Sequence, residues 1–488
     1  MSEQLNYYSI LGIEPQASTE RVKEAFGRLR GEFKRRSRDF DKDSRYQQIA
    51  YAYEVLIDPD RRALYDSLLQ ETRPPALRLD VQVSRDKIAM MESAQLIYLL
   101  VEVYPPQQKK DARLPLNLCL VIDRSTSMQG ERLERVKTAV ELILDQLGPD
   151  DVISVVSFSD RAQVILPAAI VQNKRPLLAK IQSMIASGGT EIYQGLSAGI
   201  TEMRAVSLDN HTNNLILLTD GHTYGDAELC LQLAQQTAKE GIGITAFGIG
   251  HEWNDQFLDR LVSASGGQSG YIDKPQQIID FLQKRINGLG NIYARNVKLL
   301  VDFPQTIHLR YGFKLAPYAQ PLSIHVREIQ LGDIEGRKPL SFLLEMSIDP
   351  QPMETRIKVP IQLTADIPGQ KSGTATFKES LQLFVLAEAP ETNPPEALLR
   401  AVRMLNMYRL NEKVWEDVEA GQVDIATRRM RHLTTRFLEA GQTQLAQQAS
   451  MEAERLAQMG TLSIEGHKTL KFGTRTLLNQ ATQWEQDD

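Results

Sequence analysis

The chain has 488 residues, a formal net charge of -6, and 42% hydrophobic and 24% charged residues. That length is too great for one hydrophobic core, so several domains are expected. The composition is that of an ordinary globular protein, and a charge balance without basic excess excludes a general nucleic-acid binder.

The first region, to about residue 70, reads as helical. Its opening, MSEQLNYYSILG, lacks a basic start followed by an apolar run, so no secretory signal is read there. Ser18 is placed to cap a helix that has Glu20 in its first turn. Val22, Phe26, Leu29 and Phe33 then share one helical face, and Tyr46, Ile49, Tyr53 and Leu56 share another. Two amphipathic helices joined by the polar RRSRDFDKDS predict an antiparallel hairpin. ETRPPA, at 71–76, is a linker signal.

Leu77, Leu79, Val81 and Val83 alternate with polar residues, as a half-buried strand requires. LIYLLVEVYPP is a second strand, stopped by Pro105 and Pro106. The apolar AQLIYLLVEV is too short to span a bilayer and carries Glu102. From 114 to about 290 strands alternate with helices. LNLCLVID, VISVVSFS, NNLILLTDG and GIGITAFGIG are strands. GERLERVKTAVELILDQLG and AELCLQLAQQTAKEG are helices. This order predicts a parallel sheet covered on both faces, a doubly wound α/β domain. Cys119 and Cys230 lie in its apolar segments and are expected as buried free thiols, which suits a reducing cytoplasm.

From 293 to about 388 the helical pattern gives way to strands with turn residues between them, a sandwich composition. It matches the character of the 77–104 segment, so the α/β domain is expected as an insertion in one β-sandwich. The predicted division is 1–70 helical hairpin, 76–112 with 293–388 sandwich, 113–292 α/β domain and 393–488 helical domain. In the last, VEAGQ and LEAGQ recur as helix punctuation, a hint of a helical-hairpin repeat beside the plainer reading of amphipathic helices.

Ligands of open α/β sheets sit outside the carboxyl ends of the strands. LNLCLVID ends there in DRSTS, with Asp123, Ser125 and Ser127. The loop SGGTEIYQG delivers Thr190, and LLTDGHTYG delivers Asp220. Two carboxylates and three hydroxyls form an all-oxygen set suited to a hard cation rather than to zinc. Mg²⁺ is the first choice; Mn²⁺ and Ca²⁺ also fit an oxygen set. So few carboxylates leave the metal able to accept another from a partner. Glu252 and Asp255, on a neighbouring loop, read as solvated rim residues rather than ligands. Each element taken singly is an ordinary helix cap or turn; the ordered set of five argues for a site.

Asp123-x-Ser125-x-Ser127, Thr190 and Asp220-Gly221, in that order, resemble the metal-ion-dependent adhesion site of the von Willebrand factor type A family over roughly 114–290. The resemblance implies a Rossmann-like domain in which the serines and the threonine coordinate the metal directly, the aspartates directly or through water. A ligand carboxylate completes the shell. The flanking sandwich is similar to that of bacterial von Willebrand A proteins, inter-alpha-trypsin inhibitor heavy chains and calcium-activated chloride channel-like proteins. Family association implies AAA-type ATPases or chaperones as partners. The stretch KTLKFGTRTLL is similar to helical tails of such bacterial proteins and reads as a packing or docking element.

Residues 6–66 resemble a J domain, DnaJ-like, in Tyr7, Tyr8, Ile10, Leu11 and Gly12 at the start, and in Tyr53, Glu54, Val55, Leu56, Asp58, Arg61, Tyr65 and Asp66 at the end. The His-Pro-Asp motif through which J domains stimulate a chaperone ATPase is replaced by Lys34, Arg35 and Arg36.

Three functions follow: an intracellular metal-dependent scaffold or adaptor without enzymatic activity; a J-type co-chaperone; and a metal-assisted hydrolase with His222 as base. The adaptor accounts for most of the motifs, and it needs neither nucleic acid nor a membrane span. Residues 1–70 are expected to leave chaperone ATPase turnover unchanged in a steady-state assay, and a clear rate increase would refute the loss of J activity.

Overall fold

The computed structural model describes residues 7–14, 17–36, 40–62, 65–66, 77–106, 114–171, 173–222, 225–368 and 374–480. It divides into two compact units, 1–76 and 77–488.

In the first unit, helices Tyr7–Leu11, Thr19–Arg36 and Ser44–Ile57 enclose a small core of Tyr8, Leu11, Val22, Ile49, Ala52 and Leu56. Phe26 stacks on Tyr53 with ring centroids 4.1 Å apart, so the two predicted faces meet. Asp43 caps the third helix by accepting from the backbone N–H of Arg45 at 2.8 Å. Tyr8 donates to Asp66 at 2.6 Å and accepts from Arg62 at 3.0 Å, which ties the two ends of the unit together. Lys34, Arg35 and Arg36 are the last turn of their helix rather than part of a loop.

The second unit contains sixteen strands among the described residues. The sandwich opens with β1 (Arg78–Val83), β2 (Lys87–Ala89) and β3 (Gln95–Tyr104). The α/β domain supplies β4 (Leu116–Asp123), β5 (Val152–Phe158), β6 (Ala162–Ile170), β7 (Thr212–Thr219), β8 (Ile242–Ile249) and β9 (Gln268–Ile272). The sandwich then resumes with β10 (Ile292–Leu300), β11 (Ile307–Ala316), β12 (Gln320–Pro321) and β13 (Glu328–Glu335). It closes with β14 (Leu340–Ile348), β15 (Arg356–Asp366) and β16 (Thr374–Leu386).

The two sandwich sheets run β1-β3-β14-β11-β12 and β13-β10-β15-β16-β2. Each therefore mixes strands from before and after the α/β domain: β3 pairs antiparallel with β14, and β2 pairs with β16. The α/β domain is an insertion between β3 and β10. Its sheet runs β6-β5-β4-β7-β8-β9. β6 is antiparallel to β5, so the sheet is mixed rather than wholly parallel. β6 is a half-exposed edge carrying Pro167, where a missing N–H costs little.

Both faces of this sheet are covered. Leu118, Leu120 and Ile122 face the helices Glu131–Gln146 and Ile278–Leu289, while Cys119 and Val121 face Ile192–Arg204. Complete burial on both sides is why LNLCLVID reads as an unbroken apolar run. Cys119 and Cys230 are buried free thiols.

The helices Glu396–Glu419, Val423–Glu439, Thr443–Met459 and Ile464–Gln480 form the C-terminal domain. The repeated AGQ ends the first and second of these alike: Gly421 and Gly441 adopt φ of 74° and 72°. The next N–H then reaches back to the carbonyls of Asp417 and Phe437 at 2.7 and 2.8 Å. That left-handed cap favours glycine. The domain covers the outer face of one sandwich sheet, burying Leu398, Leu405, Tyr408 and Leu478 on Leu100, Phe313 and Leu343.

Its last helix also docks on the α/β domain through buried charges. Arg475 makes a two-pronged contact with Asp259, and Lys471 reaches Asp255 at 2.5 Å and Asp259 at 3.0 Å. Lys468 donates to the carbonyls of His251 and Trp253, both at 2.6 Å. Asp255 is therefore a partly buried ion-pair partner rather than a solvated rim residue, whereas Glu252 is exposed. Burial opposes the charge of Asp255, but the His467 hydrogen bond and Lys471 outweigh it and hold the carboxyl well below its usual range. At Asp259 burial is likewise overcome, by Arg475 and Lys471.

Depressed carboxyl pKa values stabilise the fold above the unfolded-state value of about 4, and that stability is lost as pH falls through the folded-state values. Melting temperature should accordingly drop below about pH 4. Asp259→Ala should cost about 3–5 kcal/mol in urea unfolding at pH 7, because it leaves buried Arg475 without its carboxylate and takes one carboxylate partner from Lys471.

Candidate metal centre

Strand β4 lies between β5 and β7, and the chain leaves it in opposite directions around the sheet. The helix after β4 leads to β5 on one side, while β7 on the other side is reached later. A crevice opens at such a switch point, at the carboxyl ends of the strands. Ile122 pairs with Leu218, so Asp123 stands level with Thr219, and Asp220 follows immediately.

Asp123 is fully buried. Its Oδ1 accepts the backbone N–H of Ser125 at 2.8 Å, and its Oδ2 accepts the hydroxyl of Thr219 at 2.6 Å. The turn beyond it brings the Oγ atoms of Ser125 and Ser127 to 3.1 Å from each other. Ser127 donates to Asp220 Oδ1 at 2.7 Å, leaving its oxygen lone pairs for another partner.

The loop carrying Thr190 is stitched to this turn. Ser187 N–H donates to the carbonyl of Arg124 at 2.7 Å, and Thr126 N–H to that of Gly188 at 3.1 Å. Gly189 N–H donates to Asp160 at 2.9 Å. A Cβ on Gly221 would lie 3.0 Å from Thr190 Oγ1, so the absent side chain gives the threonine hydroxyl room against the Asp220–Gly221 turn. Thus Asp123, Ser125, Ser127 and Asp220 form one hydrogen-bonded group, and Thr190 closes against it. His222 is exposed past the turn and takes no part in these contacts.

Burial pushes the Asp123 carboxyl up to about 6 despite the Thr219 and Ser125 hydrogen bonds, and the nearby charge of Asp220 pushes in the same direction. Two buried carboxylates with hydroxyls between them suit a cation chemically. Among the described residues no group of three or more His, Cys, Asp and Glu gathers, as a nitrogen- or sulfur-based site would need. A hard cation here would rest on hydroxyl oxygens and the two aspartates.

Two contributors lie outside the five motif positions. Thr219, the last residue of β7, supplies the second donor to Asp123. Arg132, in the first turn of the helix after the hydroxyl turn, forms an ion pair with Asp220 Oδ2 and donates to the carbonyl of Ser127 at 3.3 Å.

This sheet with this strand-end group defines a von Willebrand factor type A domain, and the model of that family matches residues 117–284. The chain joins it to a DnaJ domain, matched over 6–66, and to an Sll0103-like C-terminal alpha-helical domain, matched over 396–480. Over 259 residues the chain is 30% identical to sll0103 of Synechocystis sp., covering 51% of this chain and 61% of that protein. It is 23% identical over 265 residues to YfbK of Escherichia coli, covering 53% and 46%. With inter-alpha-trypsin inhibitor heavy chain H1 of Bos taurus the identity is 28% over 225 residues, covering 43% and 25%. The chain thus spans less than two thirds of each of these relatives.

Among solved structures, a von Willebrand factor type A protein from Catenulispora acidiphila superposes with TM-score 0.65 at 16% identity, covering 82% of this chain and 96% of that one. The ArnB paralog VWA2 from Sulfolobus acidocaldarius gives 0.56 at 15% identity, covering 82% and 98%. These likenesses establish the fold. Among the described residues no helix is long and apolar enough to cross a membrane.

Thr219→Val should destabilise the protein by about 1–3 kcal/mol in chemical unfolding, since it leaves a buried carboxylate oxygen without its donor.

Proposed function

We propose that this chain is a non-enzymatic adaptor that binds protein partners through a divalent cation held by Asp123, Ser125, Ser127, Thr190 and Asp220. The observation that carries this reading is their convergence: three loops, far apart in sequence, bring two buried carboxylates and three hydroxyls to one strand-end crevice. Domains of the von Willebrand A family commonly serve protein–protein interaction. The donor set favours a hard cation, Mg²⁺ first. Two carboxylates neutralise a divalent ion without satisfying its coordination, so the partner is expected to offer an Asp or Glu carboxylate.

The J-like domain serves as an auxiliary interaction module, without His-Pro-Asp and with a basic helix end at Lys34, Arg35 and Arg36. An AAA-type ATPase or a chaperone is the kind of partner the domain combination suggests. The two buried free thiols fit a reducing, cytoplasmic setting. The hydrolase reading rests on His222 alone, which is exposed past the turn and outside the hydrogen-bonded group.

The test is capture from native lysate on immobilised full-length protein, with Mg²⁺, with chelator, and with Asp123→Ala replacing wild type. A protein retained only by wild type with Mg²⁺ is expected. Capture indifferent to both chelator and Asp123 would place binding elsewhere in the chain.

A further inference from the structure

Arg132 is the second residue of the helix Glu131–Gln146, one turn beyond Ser127. Its guanidinium bridges the ends of three neighbouring strands. One nitrogen pairs with Asp220 Oδ2 beyond β7 and reaches the Ser127 carbonyl beyond β4. Another approaches Gly250 beyond β8, where an added Cβ would lie 3.0 Å from it. The Asp220 side chain is 0% exposed and that of Arg132 is 33% exposed. Both oxygens of Asp220 are therefore engaged from within the protein, Oδ1 by Ser127 and Oδ2 by Arg132.

We propose that Arg132 is a built-in competitor for the divalent cation, holding Asp220 until the metal displaces it. This rests on the metal-dependent reading above. The physical argument is charge. Asp123 and Asp220 are the two carboxylates of the group, and the guanidinium already neutralises one of them. A dication entering beside it meets like charge at contact range, in a buried setting where screening is weak. Release of the arginine is sterically open, because a third of its side chain faces solvent and its stem is long and flexible. Without the metal, the same pairing spares the protein an uncompensated buried charge at Asp220. The wild-type site is thus tuned to bind metal more weakly than its oxygen set alone would.

The test is titration of the full chain with Mn²⁺, read by the electron paramagnetic resonance of free Mn²⁺, followed by competition with Mg²⁺. Asp123→Ala defines which binding belongs to the site. Arg132→Gln removes the charge and keeps a hydrogen-bond donor; Arg132→Ala removes both. Each is expected to tighten Asp123-dependent Mn²⁺ binding by about tenfold or more, while Arg132→Lys, which keeps the charge, stays near wild type. Arg135→Ala serves as a control, since Arg135 pairs with Glu131 on the helix surface.

A second reading uses no metal affinity at all. Without metal, Arg132→Gln should melt lower than wild type, and saturating Mn²⁺ should remove the difference. Unchanged or weaker Asp123-dependent binding in both Arg132→Gln and Arg132→Ala would overturn the competitor and leave the metal site standing. Absence of Asp123-dependent binding in every variant would sink the metal reading, and the competitor with it.

Discussion

The site depends on one juxtaposition: β4 and β7 are neighbours, β4 ends in buried Asp123, and buried Asp220 directly follows β7. The register sets Asp123 level with Thr219, and Asp220, one residue further on, is reached by Ser127 from the turn after β4. Burial and mutual repulsion both oppose two charges there. The rest of the crevice answers that problem. Backbone and hydroxyl donors are spent on Asp123, whereas Asp220 receives a hydroxyl and a guanidinium. A cation placed between them would relieve both carboxylates together.

The α/β domain is also held from outside. The last helix of the chain grips the segment after β8 with Lys468, Lys471 and Arg475, and contributes His467 as well. On the sandwich side, Arg285 pairs with Glu335 at 2.5 Å, both nearly buried, linking the helix before β10 to β13. Buried pairs add little net stability compared with apolar packing, but breaking one strands a charge. Their value here is in fixing which surfaces meet. An inserted domain has its two chain crossings close together, so it needs such contacts to be fixed on its host. Lys314 adds a further point, donating to the carbonyls of Gly267 at 3.3 Å and Leu331 at 3.1 Å, with burial pushing its amine down to about 8.

The N-terminal unit, matched by the DnaJ model over 6–66, closes a small core of its own. Tyr7 stacks on Tyr65, and Tyr8 joins Arg62 and Asp66, so the residues that carried the resemblance are those that close the small core. What the unit lacks is confined to the end of one helix. Lys34, Arg35 and Arg36 are not among the residues of that core.

Much of the molecule was legible in the sequence because it rests on local periodicity. The unbroken run LNLCLVID, the alternation of Leu79, Val81 and Val83 and the AGQ punctuation each encode an element directly. The order Asp123, Ser125, Ser127, Thr190, Asp220 marked candidate positions: Asp123 ends β4, Ser125 and Ser127 lie in the turn after it and Asp220 directly follows β7, whereas Thr190 comes from a loop between two helices. Other features were set by neighbours distant in the chain. β6 lies antiparallel at the edge, the three-residue β2 crosses to the second sheet, and Asp255 is paired rather than solvated. The parts played by Thr219 and Arg132 arise only because β4 and β7 lie side by side. Periodicity is written residue by residue, so sequence determines the elements and the order of the donors. The pairing of charges depends on distances of a few ångströms between segments about ninety to over two hundred residues apart, and only the folded chain sets those.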